Sequence, residues 1–263
     1  LGAGGKRVRP LFAIAAGGCR PGGADGPAPL DVVRGGVSVE LVHLGSLLHD
    51  DVVDEAVTRR GIESVNARWG NIVAVMSGDL LLSGALLKLS AFEPALTREA
   101  LSTVAEMTRA AIDEVQARGN LDLTLEELKA IGEGKTGSLF GFCGKAAALV
   151  AGDHDAAKRF DAFGRRIGVA FQMADDIRDI SGTDEGKPQY ADLQSRTPNL
   201  PVVLAVARDA KLKKRIGDAW GWAALTQDKI KELGTAVLVT GALDDAITLM
   251  NQEIDSAVDA LGP

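Results

Sequence analysis

Apolar residues recur along most of this chain at the three-to-four-residue interval of an α-helix, most clearly from Leu30 to about Val57. There Val37, Leu41, Leu44 and Leu48 form one stripe, the face that a helix turns toward a core. Similar periodicity predicts helices over Val65 to Leu89, Glu99 to Arg118, Ala156 to Ile180 and Leu200 to Val206, and, with glycine breaks, over Lys211 to Leu261. Thr124-Leu-Glu-Glu127 is a capping-box helix start. Gly17 to Pro29 is crowded with Gly and Pro and reads as a loop joining helices; Gly182 to Pro188 and Asp192 to Pro198 read as irregular connections. Runs such as Ile72 to Met76 are too short, and too embedded in helical periodicity, to be strands. The predicted class is all-α, with no strand.

The longest run ends in an anomaly, Leu48-His49-Asp50-Asp51-Val52-Val53-Asp54. Four residues turn a helix by about 400°, so Asp50 and Asp54 share a face one turn apart. Like charges so placed repel by roughly 0.2–0.5 kcal/mol when exposed, and by more when desolvated. A carboxylate pair kept beside Leu and Val calls for a counter-charge, and a hard divalent cation with oxygen ligands suits it. One such motif reads most simply as a solvated face. Ala174-Asp175-Asp176-Ile177-Arg178-Asp179 repeats the spacing far down the chain, after the apolar Val169-Ala170-Phe171-Gln172-Met173, and the repetition favours a metal site.

Basic residues fall at several places around these motifs. Thr58-Arg59-Arg60-Gly61 reads as a basic pair ending the helix at a glycine; the guanidiniums suit either the helix dipole or a phosphate. Gly4-Gly5-Lys6 and Arg9 form a second small cluster. Gly132 to Phe140 sets Lys135 and Thr136 in a glycine-rich helical stretch that lacks P-loop spacing. Asp79, among hydrophobes, reads as a capping or buried hydrogen-bonded residue, and His43 as a core or near-core histidine. Asp244-Asp245 reads as a charge pair at a helix N-terminus.

Composition narrows the picture. The chain has 263 residues, 46% hydrophobic and 25% charged, enough for one large domain or two. Aromatics make up only 4%, so the core must be Leu, Val, Ala and Ile. A net charge of -7 without a basic run argues against a nucleic-acid partner. Cys19 and Cys143 lack metal-ligand spacing and read as buried thiols in a reduced, cytoplasmic setting. No uninterrupted apolar stretch reaches about 18 residues, so no membrane span is expected, and no signal-peptide pattern is present. The chain opens at Leu1 rather than Met, so further residues are expected upstream. Together, the acidic pairs and basic clusters imply metal-assisted departure of a diphosphate, because a cation stabilises charge developing on the leaving oxygen.

The chain resembles the trans-isoprenyl diphosphate synthases of the polyprenyl synthetase family over nearly its whole length. The carriers are Gly4-Gly5-Lys6-Arg7-Val8-Arg9-Pro10, Leu48 to Asp54 with Arg59-Arg60-Gly61, Gly78-Asp79, Gly134-Lys135-Thr136, Phe171 to Asp179 and Gly186-Lys187-Pro188. The resemblance implies one domain over 1–263, an all-α isoprenoid-synthase-like bundle around a central cavity, with the two acidic motifs facing each other. It implies three Mg²⁺ ions (Mn²⁺ as substitute), head-to-tail condensation of isopentenyl diphosphate with an allylic diphosphate, and a homodimer. Asp50 and Asp54 would ligate two metals and Asp175 the third, with Asp51 and Asp179 in support. Arg59, Lys135 and Lys187 would hold the allylic diphosphate; Lys6, Arg9 and Arg60 would hold isopentenyl diphosphate. Thr136 and Gln172 would line the reaction centre.

Two departures from the family pattern stand out. Asn66 occupies a position where many members have a His contacting isopentenyl diphosphate, and it can still donate a hydrogen bond. Thr197 occupies one where many have a Lys reaching the allylic diphosphate, so either Arg196 substitutes or the contact is missing. Product length in the family is limited by bulky residues four and five positions before the first aspartate. Here those are Ser46 and Gly45, which implies an open shaft and a product of C20 or longer, of geranylgeranyl type or beyond. The rival readings are a class I terpene cyclase, an HD-type phosphohydrolase and a non-catalytic subunit of a heteromeric synthase. The first would lack the second intact motif, the second would need more His ligands, and the third would be expected to lose aspartates.

Overall fold

A computed structural model of the chain describes residues 7–18, 30–59, 61–182, 189–222 and 224–262. Helices dominate it, as the periodicity predicts, and they divide into two compact units. The first comprises Leu1–Ala105, Ser138–Arg165 and Ala260–Pro263, the second Glu106–Gly137 and Arg166–Asp259. Helices α5 (Pro94–Ala117) and α8 (His154–Ser181) contribute residues to both.

In the first unit, α2 (Leu30–Val53) packs against α1 (Val8–Gly18), α4 (Asn71–Leu89) and α7 (Ser138–Val150). Its core is built from small aliphatics (Ala13, Ala16, Val32, Val39, Val42, Ala74, Ala85) together with Phe140 and Phe142. Small residues let helix backbones approach closely. A Cβ on Gly45 would stand 2.9 Å from the Gly78 carbonyl oxygen, and one on Gly78 would meet the His49 ring at 2.4 Å. The α2–α4 crossing therefore depends on glycine at both positions. Phe12 packs against Phe160 and Phe163, with ring centroids 6.2 and 5.3 Å away.

Helix α2 stops at Val53, earlier than the periodicity predicts, and the next residues form a hairpin that the sequence did not signal. Strand β1 (Thr58–Arg59) pairs antiparallel with β2 (Ile62–Glu63) around Gly61, whose φ is +72°. Gly61 is thus a hairpin glycine and not a helix cap. The end of α2 is capped from a distance instead. The Asn66 amide donates to Asp51 O (3.1 Å), in the last turn of the helix where carbonyls lack intrahelical partners, and also to Ala56 O (3.0 Å), to which Ser64 Oγ donates at 2.5 Å. The apolar run predicted from Val65 to Leu89 is two helices, α3 (Val65–Trp69) and α4, broken at Gly70 with φ +85°. Helix α4 is long and apolar enough, by length and composition, to cross a membrane, although Asp79 interrupts its apolar run; only 22% of its most apolar window is buried.

The second unit contains α6 (Leu125–Gly132), begun by the predicted Thr124–Glu127 capping box, and a π-helical turn over Glu133–Gly137. It continues with α9 (Ala191–Ser195), α10 (Leu200–Arg208), α11 (Ala210–Trp220), α12 (Gln227–Val239) and α13 (Ala242–Leu261). Asp244 and Asp245 lie in the first turn of α13, as expected. The core unites Ile180, Leu193, Val202, Leu212, Ile216, Ile230 and Leu233. Each such side chain contributes about 1.5–3 kcal/mol on burial. Tyr190 takes a left-handed backbone (φ 66°) to reach this core, and its ring occupies the space that a Cβ on Gly234 would fill, 2.3 Å away.

Candidate functional site

The first acidic motif lies at the C-terminal end of α2. Asp50 is half-buried and Asp54 exposed, one residue past the helix, with Asp54 N donating to Asp50 O at 2.8 Å. Asp51 points the other way: it is 2% exposed and accepts from Arg59 Nε at 2.7 Å. Carboxylates at a helix C-terminus meet the negative end of the dipole, so this end of α2 favours a bound cation over another anion. Asp79 neither caps nor is buried. Its side chain is 53% exposed, and its Oδ1 lies 3.2 Å from His49 Nε2, which also reaches Val75 O at 3.3 Å. Elsewhere in this unit Arg9 donates from Nη1 to His43 Nε2 (3.2 Å), with its guanidinium 4.5 Å over the Phe140 ring.

Two expectations change here. Both amide hydrogens of Asn66 are spent on backbone carbonyls, so it caps α2 and has no donor left for a diphosphate. Gly45 is buried against the α4 backbone, so its smallness serves a helix crossing and leaves no open shaft at that position. Ser46 is half-buried, with Oγ bonded to His43 O at 2.9 Å, and is the remaining candidate for a length-setting position. Lys6, Arg60, Lys187 and Cys19 lie outside the described residues. Cys143 is buried, as expected, and burial pushes its thiol up to about 12, which keeps it unreactive.

The second acidic motif ends α8, again at the negative pole of a helix. Asp175 is half-exposed and accepts from Arg178 Nη1 at 2.7 Å, one turn on. Asp176 and Asp179 are buried and turned inward. Asp176 accepts from Gln172 Nε2 (3.0 Å) and from Leu200 N (2.9 Å). Asp179 accepts from Ala191 N at 2.8 Å and, more loosely, from Asp192 N and Asn199 Nδ2 at 3.4 Å each. These two carboxylates thus tie the α9–α10 segment to α8. Burial, reinforced by the neighbouring Asp192 carboxylate, pushes Asp176 up to about 8.

A cavity opens in this unit between apolar Leu123, Leu128, Ile131, Val169 and Met173 and a polar side. The polar side includes Lys135, Gln172, Asp176, Asp192, Thr197 and, unforeseen in the sequence, Glu114, whose carboxylate accepts from Lys135 Nζ. Lys135 and Thr136 sit in the π-helical turn, a widening often found at functional positions. Thr136 Oγ1 donates to Gln172 Oε1 at 3.1 Å, which with the Asp176 contact fixes the Gln172 amide from both ends. Thr197 lines the cavity. Arg196 does not substitute for a lysine there, because its Nη2 donates to Trp222 O at 2.6 Å.

Donor chemistry is compatible with Mg²⁺. No three acidic, His or Cys side chains converge into a metal cage among the described residues. Mg²⁺ habitually uses one or two carboxylates and completes its shell with water and phosphate oxygens, and Asp50 with Asp54, or Asp175, supplies that much.

A model of the polyprenyl synthetase family matches residues 1–237. The chain is 38% identical over 208 residues to nonaprenyl diphosphate synthase of Mycobacterium tuberculosis, covering 78% of this chain and 61% of that one. It is 38% identical over 223 residues to the (2E,6E)-farnesyl diphosphate synthase of the same species, covering 82% and 60%. The chain therefore spans about three fifths of the length of these relatives. A polyprenyl synthase from Caulobacter crescentus, solved with calcium and isoprenyl diphosphate, superposes with a TM-score of 0.91 at 29% identity, covering 99% of this chain and 80% of that one. The shared architecture is the all-α isoprenoid synthase fold.

Proposed function

The chain belongs to the polyprenyl synthetase family, and on that premise we propose that it condenses isopentenyl diphosphate head to tail with an allylic diphosphate. The observation that carries this reading is the pair of acidic motifs, each closing a helix at its negative end and each with an outward carboxylate (Asp50 and Asp54, or Asp175). These three hold divalent cations; calcium in the Caulobacter relative supports a divalent ion, and Mg²⁺ is the ion we propose. Bound there, Mg²⁺ supplies electrostatic stabilisation of the charge on a departing diphosphate. Asp51 keeps Arg59 at the end of α2, where the guanidinium faces incoming phosphate. Lys135 binds the allylic diphosphate, and Lys187 assists. Lys6, Arg9 and Arg60 bind isopentenyl diphosphate. The Thr136 hydroxyl directs its hydrogen to Gln172 Oε1 in a hydrogen bond, so its oxygen lone pairs, with the fixed Gln172 dipole, are available to positive charge developing on the allylic carbon.

The product is C20 or longer, a reading that now rests on Ser46 alone. The partner is a second copy of the chain, docked on the outward apolar stripe of α4, where Ile72, Leu80 and Leu87 are 81%, 73% and 75% exposed and Met76 lies between them. The purified chain, given radiolabelled isopentenyl diphosphate, farnesyl diphosphate and Mg²⁺, is expected to form products beyond C15. No turnover without an added protein would favour a non-catalytic subunit, and cyclic hydrocarbon products would favour a cyclase. Leu80→Glu is expected to yield monomers by light scattering; an unchanged dimer would remove α4 as the interface.

A further inference from the structure

The cavity of the second unit is short of uncommitted positive charge. Two lysines line it among the described residues, and each already has a carboxylate against it. Lys129 Nζ is bound to Glu253, a buried residue that also accepts from Arg166 Nη1 at 3.3 Å. Lys135 Nζ is bound to Glu114, with only 25% and 23% of the two side chains exposed. Both ends of the Lys135–Glu114 pair face the cavity, alongside Asp176 and Asp192. A diphosphate arriving at Lys135 would therefore meet the Glu114 carboxylate beside it, in a partly desolvated place where like charges are poorly screened.

We propose that Glu114 is a counter-charge that prevents Lys135 from binding a diphosphate tightly by itself. Capture of the substrate then requires the divalent cation, and the inorganic diphosphate left after condensation is released readily once the cation goes. The proposal rests on the reading that Lys135 holds a diphosphate. Its logic is that of uniform binding: extra affinity for the ground state or the product adds nothing to the rate of the chemical step. Glu114 would trade that affinity for turnover. Glu114→Gln keeps an oxygen that can accept from Lys135 Nζ and removes only the charge.

The test is calorimetric titration of inorganic pyrophosphate into the full chain, with a chelator and then with Mg²⁺. Glu114→Gln is expected to tighten metal-free binding about tenfold, the order of one partly screened like-charge contact, and to shrink the gain from Mg²⁺. In the steady state, KM for the allylic diphosphate should fall and inhibition by pyrophosphate should strengthen. Loss of a merely structural contact would weaken binding, the opposite direction. Glu114→Ala repeats the experiment should the glutamine variant fold poorly. Unchanged or weaker metal-free binding in the folded variants, with Lys135→Ala still weakening it, overturns the counter-charge role alone. Unchanged binding in Lys135→Ala overturns the reading of Lys135 itself, and the proposal with it.

Discussion

In the first acidic motif the buried middle carboxylate, Asp51, meets the Arg59 guanidinium at 2.7 Å; in the second, Asp176 is held by the Gln172 amide and the Leu200 N–H, with Asp192 nearby. The two motifs have the same spacing and both end helices, yet they neutralise buried charge differently. An ion pair makes a buried carboxylate depend on one charged partner. At Asp176 burial, with the nearby Asp192 carboxylate, outweighs the two neutral donors that favour the charged form, so the folded protein holds the proton more strongly. The third aspartates differ as well. Asp54 lies past the end of α2 in solvent, whereas Asp179 is folded inward as an anchor for α9. A repeated motif is therefore not a repeated site: the outward carboxylates are Asp50 and Asp54 in one copy and Asp175 in the other.

The largest expected effect separates outward from inward residues. Asp175→Ala should lower turnover about 10³-fold, or roughly 4 kcal/mol of transition-state stabilisation, while thermal melting stays near wild type, because its ion pair with Arg178 is half-exposed. A folded variant with normal turnover would show that the second motif is structural throughout.

Next, Arg59→Ala strands the Asp51 carboxylate in the first motif. Removing one partner of a buried ion pair costs about 3–5 kcal/mol, and the low end is expected here because Arg59 is one-third exposed. Urea denaturation measures it; a change below about 0.5 kcal/mol, typical of a surface pair, would erase the contrast between the motifs.

The second motif should respond to pH instead. The folded-state value for Asp176, about 8, lies above the ordinary 3.8, so the folded state binds the proton more strongly. The associated stability is fully present below the ordinary value, declines as pH rises and is lost once pH passes the folded value. Relative to Asp176→Asn, the wild-type melting temperature should fall steadily between pH 4 and pH 8. Parallel curves for the two proteins would assign the pH response to other groups.

The smallest effect concerns Arg196, whose left-handed backbone (φ 61°) suits glycine. Arg196→Gly relieves about 1 kcal/mol of strain and loses the bond to Trp222 O, for a net change of a few tenths of a kcal/mol and unaltered KM for the allylic diphosphate. A raised KM would return Arg196 to the site.

Much of this was legible in the sequence because it is local. Helical periodicity, the Thr124 capping box and the two aspartate motifs each lie within a few residues. What the sequence hid depends on partners distant in the chain. Gly61 looks the same in a helix cap and in a hairpin, and the choice was made by Ser64 and Asn66 reaching back to Asp51 and Ala56. The smallness of Gly45 could mean an open shaft or a close helix crossing, and the Gly78 carbonyl decides for the crossing. Glu114 gave no signal at all, because its meaning comes from Lys135, on a different element. Even within the second motif, nothing in the order of residues distinguishes Asp175, which faces outward, from Asp179, which binds Ala191 N.

In the proposed reaction the outward carboxylates hold the cation that makes a diphosphate leave. That role is tested most directly by the rate of condensation as a function of Mg²⁺ concentration, in wild type and in Asp50→Ala. No rate is expected without Mg²⁺, a saturable rise is expected in wild type, and Asp50→Ala should be at least about 10³-fold slower, with no recovery on adding Mg²⁺. An Asp50→Ala protein with the wild-type rate and the wild-type Mg²⁺ curve would contradict it.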